Sequence, residues 1–323
     1  MKETDYAYAV ARVRSNENSF LSRQELDSLL AAPDCETCLS RLSGKGWGEP
    51  GTTVSDEGVI IDAQLKKLWS FIDEISPDRA VFDSLRIPND YHNLKAVIKA
   101  FINGERPDRF IIRPYTVEPD TIVEAIKERN YSLLPAHMRE PAEKAFYTLL
   151  EQRKGQLCDI IIDRASLEAA LENAKQYGGI LRQLAELNIL KANIKSAWRC
   201  AAQKKPANFI EKVFAEGCAK PDTASLRAAA LAGTDSIIEL LHTVDPKLEQ
   251  ALQEDGIEGF DKACDDMSIR ILSRSRYTPL GIEPLVAYIV AAENEIRNIR
   301  LILTAKRNGI SAERISGMLR DVF

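Results

Sequence analysis

One four-point pattern occurs three times along this chain: an asparagine, an aliphatic residue, a basic residue, and an apolar residue four places after the aliphatic. The copies are Asn93-Leu94-Lys95…Ile98, Asn193-Ile194-Lys195…Trp198 and Asn298-Ile299-Arg300…Leu303, with their asparagines 100 and 105 residues apart. A period this long predicts a triplicated helical unit, each copy burying its apolar face against its own helices and its neighbours. Such a pattern belongs to a scaffold more than to a catalyst.

At about 100° per residue, the aliphatic position and the residue four later share a helix face, giving Leu94/Ile98, Ile194/Trp198 and Ile299/Leu303. Tyr91 and Ile296 extend that face by a turn, whereas Lys191 stands there in the second copy. The asparagine lies on a second stripe with Val97, Ala197 and Ile302. Two apolar stripes predict a helix contacted on two sides, with Asn93, Asn193 and Asn298 as packing residues whose amides must find partners. Lys95, Lys195 and Arg300 border the main apolar face, where stems pack and charged heads stay wet or meet a carboxylate. They either lock helices together or form three matched polar rims around a central opening that grips a partner.

Helical periodicity runs almost throughout, and period-2 alternation is absent. Ser22-Arg23-Gln24-Glu25 reads as a capping box opening a helix through Leu26, Leu29 and Leu30, and Asp34 can cap the next. Pro88, Pro119 and Pro141 read as helix starts, since the first-turn amide lacks a partner anyway. A helix near 157–177 stops at Gly178-Gly179, and Thr278-Pro279-Leu280-Gly281 turns the chain into the last asparagine helix. Phe110-Ile111-Ile112 is the one strand candidate, short enough to be a connector. Each unit has the order short helices, longer helix, asparagine helix. The expectation is an all-α fold of three pseudo-symmetric repeats, 1–110, 111–215 and 216–323.

The remaining motifs point away from chemistry. Net charge is −5, and basic runs are as short as Lys204-Lys205, which argues against nucleic acid. Apolar runs such as Ile160-Ile161-Ile162 are far too short to cross a bilayer, and the acidic N-terminus lacks a signal peptide's apolar stretch, so a cytoplasmic chain is expected. The six cysteines read as reduced thiols. Cys35-Glu36-Thr37-Cys38 has ligand spacing but no companion pair, so no metal or other cofactor is expected. The glycine-rich stretch 44–58 has the wrong order for a phosphate loop and reads as a flexible turn, with Trp47 tucked into the body. Carboxylate pairs such as Asp265-Asp266 show no nucleophile–base or metal spacing and read as solvated surface.

The asparagine helices with their acidic approach, Asp90-Tyr91-His92-Asn93-Leu94-Lys95 and Glu295-Ile296-Arg297-Asn298-Ile299-Arg300, resemble the repeated element of the C subunit (d in eukaryotes) of V-type and archaeal-type rotary ATPases. The opening 5–14, Asp5-Tyr6-Ala7-Tyr8 onward, is similar to that family's N-terminus, as is the stretch from Pro284 to Gly309 to its C-terminal part. The second copy departs, with Leu190 in place of the acid, and Gly46-Trp47-Gly48 stands where a Tyr-Gly is usual. The resemblance implies a funnel-shaped, non-catalytic central-stalk subunit. It would seat the shaft, built from coiled-coil D- and F-type subunits, on the membrane rotor ring and pass torque between them. It would be peripheral to the membrane and not inserted. A free-standing helical adaptor that binds a helical partner is the competing reading.

Overall fold

The computed structural model describes residues 2–48, 57–218 and 220–320. The chain is all-α, and no strand occurs among the described residues. The helices are α1 (Ala7–Glu17), α2 (Arg23–Leu30), α3 (Cys35–Gly44), α4 (Glu57–Ile75), α5 (Asp83–Asn103), α6 (Pro119–Lys127), α7 (Ala136–Gln152) and α8 (Gly155–Tyr177). They continue as α9 (Gly179–Ala202), α10 (Ala207–Ile210), α11 (Thr223–Ala232), α12 (Thr234–His242), α13 (Pro246–Leu272), α14 (Glu283–Arg307) and α15 (Ala312–Ser316). Non-helical backbone at Gly256 interrupts α13. No described helix is long and apolar enough to cross a membrane.

Local signals fix many of these boundaries. Ser22 Oγ accepts from the Glu25 amide while Glu25 Oε2 accepts from the Ser22 amide at 2.7 Å, which completes the capping box of α2. Asp34 and Asp222 accept from the Thr37 and Ser225 amides, both at 2.7 Å, and so cap α3 and α11. Gly104 ends α5 in the left-handed region, at φ 71°, where a side chain would be strained.

Two proline expectations are corrected. Pro88 and Pro141 do not start helices; each lies inside one, α5 and α7 respectively. Pro141 has no amide to donate to the carbonyl of His137, four residues earlier. The Tyr91 hydroxyl of α5 donates to that carbonyl at 2.8 Å, so the vacancy created by the proline becomes an interhelical bond. Residues 108–110 form a single 3-10 turn and Ile111 is extended, so the strand candidate is a connector. Trp47 is buried, as expected. Gly44 ends α3 and Gly58 lies in α4, while residues 49–56 of the glycine-rich stretch, with Pro50 and Gly51, lie outside the described residues.

The chain forms two compact units, one of residues 1–79 with 261–323, the other of 80–260. In the first, Ile296, Ile299, Ile302 and Leu303 of α14 share a core with Leu26, Leu29 and Leu30 of α2, Cys38, Leu39 and Leu42 of α3, and Ile60 and Ile61 of α4. In the second, Tyr91, Leu94, Val97 and Ile98 of α5 pack with Ile122 and Ile126 of α6, Met138 and Phe146 of α7, and Ile162 of α8. There α9 packs on α8, α11 and α12. On α5 and α14 the faces expected to be buried carry the cores; on α9 Asn193, Ile194 and Ala197 are buried, but Trp198 is only half-buried.

Candidate functional site

All three asparagines are buried, and each binds the backbone of one residue downstream. Asn93 Nδ2 donates to the Ile112 carbonyl at 3.1 Å while its Oδ1 accepts from the Ile112 amide at 2.9 Å. Asn193 holds Ala215 in the same way, both bonds at 2.9 Å. Asn298 holds Arg320, at 3.1 Å to the carbonyl and 2.9 Å from the amide. A carboxamide presents one donor and one acceptor side by side, so it can complete both halves of a single peptide residue. Aspartate could not donate, and the longer arm of glutamine would miss the register. Each clamp satisfies two polar groups of an irregular segment that has no helix to satisfy them. Ile112, Ala215 and Arg320 share no side-chain character because only their backbone is read; that is why no sequence motif marks them.

Three residues before the asparagine, two copies carry an acid with a second backbone grip. Asp90 is fully buried; its Oδ1 accepts from the Thr116 and Val117 amides at 2.8 and 3.1 Å, and its Oδ2 from the Thr116 hydroxyl at 2.6 Å. Burial raises its pKa while these bonds oppose the shift. Glu295, 8% exposed, accepts from the Leu21 amide at 2.5 Å. Its pKa is pushed up to about 7, chiefly by burial. Thr116 and Val117 precede α6, and Leu21 precedes α2, so both acids fix the entry to a short helix. In the second copy Leu190 is simply buried.

The three basic residues are not equivalent. Lys95 pairs with Asp163 at 2.5 Å and, a turn later, Lys99 pairs with Asp159 at 2.6 Å, which ties α5 to α8. Lys195 is half-buried, and Arg300 is exposed. Reading Asp265 as solvated surface is a second correction. It is buried and pairs with Arg320 at 2.7 Å, the residue whose backbone Asn298 clamps. Lys306 carried no sequence signal, yet its ammonium donates to the Leu30 and Ala32 carbonyls at 2.5 and 2.6 Å.

Cys38 is buried with its thiol donating to the Leu29 carbonyl at 3.3 Å, and Cys35 is half-buried. Burial pushes both thiols above their ordinary range, which keeps them protonated and weak as ligands. No cluster of three or more potential metal-holding side chains occurs among the described residues. The arrangement is therefore one of helices and backbone clamps, with polar residues committed to holding chain segments in place.

Known proteins are similar in sequence to this chain along most of its length. A family model described as ATP synthase (C/AC39) subunit matches residues 9–318. The C subunit of the V-type sodium ATPase of Enterococcus hirae is 24% identical over 269 residues, covering 81% of this chain and 81% of its own length. The C subunit of the A-type ATP synthase of Desulfurococcus sp. is 23% identical, with 99% of this chain and 92% of that protein aligned. The counterpart from Methanocaldococcus jannaschii is 24% identical, with coverage of 97% and 86%. A match of this extent takes in all three asparagine helices, and the chain belongs to the ATP synthase (C/AC39) subunit family.

Proposed function

We propose that the chain is a non-catalytic central-stalk subunit of a rotary V/A-type ATPase or ATP synthase. It seats a central shaft of coiled-coil D- and F-type subunits on the membrane rotor ring and transmits torque between them. It sits on the cytoplasmic face, peripheral to the membrane. The relatives' names, one from a sodium ATPase and one from an ATP synthase, support a place in ion transport coupled to ATP hydrolysis or synthesis.

The observation that carries the reading is the asparagine clamp, made with the same two bonds on α5, α9 and α14 in a chain of this family. Torque passes through a non-covalent joint only if the joint resists shear in every direction, and a socket does this better than a flat patch. Three pseudo-symmetric helical modules, with boundaries near 110 and 215, would wall a funnel of that kind. Asparagines that pin irregular segments to helices make such walls stiff. The rim is assigned to Lys95, Lys195 and Arg300, of which Lys95 also serves the α5–α8 tie.

Reversing the three charges together, as Lys95→Glu, Lys195→Glu and Arg300→Glu, tests the assignment. The expected result is ATP turnover uncoupled from ion transport, or a detached shaft, with circular dichroism near wild type. A triple variant that assembles and pumps normally removes these residues from the joint.

A further inference from the structure

In the unit formed by residues 1–79 and 261–323, α14 meets α2 without any short covalent connection: the contacting residues are more than 270 positions apart. Two ionisable side chains bracket α2. The Glu295 carboxyl accepts from the Leu21 amide, just before the helix, and the Lys306 ammonium binds the Leu30 and Ala32 carbonyls at its end. The ammonium suits the dipole at the last carbonyls, while at the helix start burial of Glu295 outweighs the dipole's preference for an ionised carboxyl. The first copy has Phe101 at the place corresponding to Lys306, and there the loop of residues 104–118 joins α5 to α6 directly.

We propose that this two-point clasp is a pH-sensitive latch: protonated Glu295 keeps it closed, and ionisation of Glu295 loosens α2 and α3 from α14. The geometry of the acid supports the direction. Glu295 is buried and has one hydrogen-bond donor where Asp90 has three. From α2 it faces Glu25, which Lys45 and the Ser22 amide hold far below the ordinary range, so that repulsion is permanent. On its own helix it faces the Tyr288 phenol, which also feels Glu17 of α1. Among the described residues, cations of the neighbouring elements have other partners. Arg14 of α1 is on Glu17, Arg41 of α3 on Ser28, Arg297 on Glu293, and Arg307 on Glu57 of α4; Arg320, beyond α15, is on Asp265. An ionised Glu295 therefore gains little inside and gains water if α2 moves away.

The cysteines supply a local reading of the latch. Cys38 on α3 is buried in the core shared with α14, whereas Cys158 on α8 is buried in the other unit. Thiol labelling of the intact chain, mapped by peptide mass spectrometry and divided by the rate in the denatured chain, reports opening at each site. With a shift from 4.5 to about 7, protection of Cys38 should fall about 30-fold between pH 5.5 and 8.5, and that of Cys158 should stay level. Glu295→Gln should flatten the Cys38 profile. Lys306→Gln should raise labelling equally at every pH and keep the slope. A flat wild-type profile overturns the latch, as does a slope that survives in Glu295→Gln or one that Cys158 shares. The labelling uses the chain alone, so its outcome is separate from the rotary role.

Discussion

Asp90 and Glu295 stand at the same place, three residues before a clamping asparagine, and differ in how well their surroundings serve a charge. Asp90 meets two amides and a hydroxyl in a unit where a covalent loop already brings α6 to α5. Glu295 meets one amide and bridges segments from opposite ends of the chain. A repeated residue keeps its geometric task, holding the entry to a short helix, while its electrostatics follow from what surrounds it. Where the second copy has Leu190, no carboxylate serves at all, and the asparagine clamp alone persists in all three.

The clamp is accordingly where the largest effect is expected. Asn193→Ala orphans the amide and carbonyl of Ala215, which is 1% exposed, and should cost roughly 4 kcal/mol, at 1–3 kcal/mol for each unsatisfied group. Asn93→Ala should cost about half as much, because Ile112 is 37% exposed and water can reach its backbone. Hydrogen exchange of the amides around 112 and 215 measures both; equal costs would mean that burial of the clamped segment does not matter.

The two acids should respond to neutralisation with opposite signs. Glu295 has its pKa raised from 4.5 in the unfolded chain to about 7 in the folded one. Between those values the folded state holds the extra proton, so stability is full below pH 4.5 and is lost as pH rises to 7. The loss is about 3 kcal/mol. Glu295→Gln, which keeps the acceptor for Leu21, should therefore be more stable than wild type at pH 8 and no better at pH 4. Asp90 also has its pKa raised by burial, yet Asp90→Asn should destabilise at pH 8 by about 1–2 kcal/mol, because the amide nitrogen that replaces one oxygen cannot accept from the Thr116 and Val117 donors. Urea titrations of both variants at pH 4 and pH 8 decide this; a shared sign would erase the contrast.

The smallest effect is expected at the thiols. Cys35→Ser should change stability by no more than about 0.5 kcal/mol, as a half-buried substitution outside any network. The Cys35→Ser/Cys38→Ser pair should leave coupling intact. Stoichiometric zinc in the wild-type protein that is lost in this double variant would contradict the description of these thiols as protonated packing groups.

The sequence made legible whatever depends on neighbours within a turn or two. Ser22 with Glu25, Asp34, and the apolar faces of the helices α5 and α14 were all readable, because a cap spans four residues and a stripe about eight. That the asparagines must bond to something was readable as well. What they bond was not, since Ile112, Ala215 and Arg320 offer only backbone and lie 19 or 22 residues away. Asp265 misled because its cation, Arg320, is brought to it from 55 positions along the chain. Pro141 misled because a helix tolerates an interior proline when another group takes the freed carbonyl, and Tyr91 does so from a different helix.

The most direct test of the coupling role is to follow ATP hydrolysis and ion transport in membranes from which only this chain has been deleted, with and without the purified protein added back. Deletion should abolish ATP-driven ion transport, any remaining hydrolysis should be uncoupled from it, and the added protein should restore transport. Transport that continues at the wild-type ratio to ATP consumed in the chain's absence would contradict the coupling role.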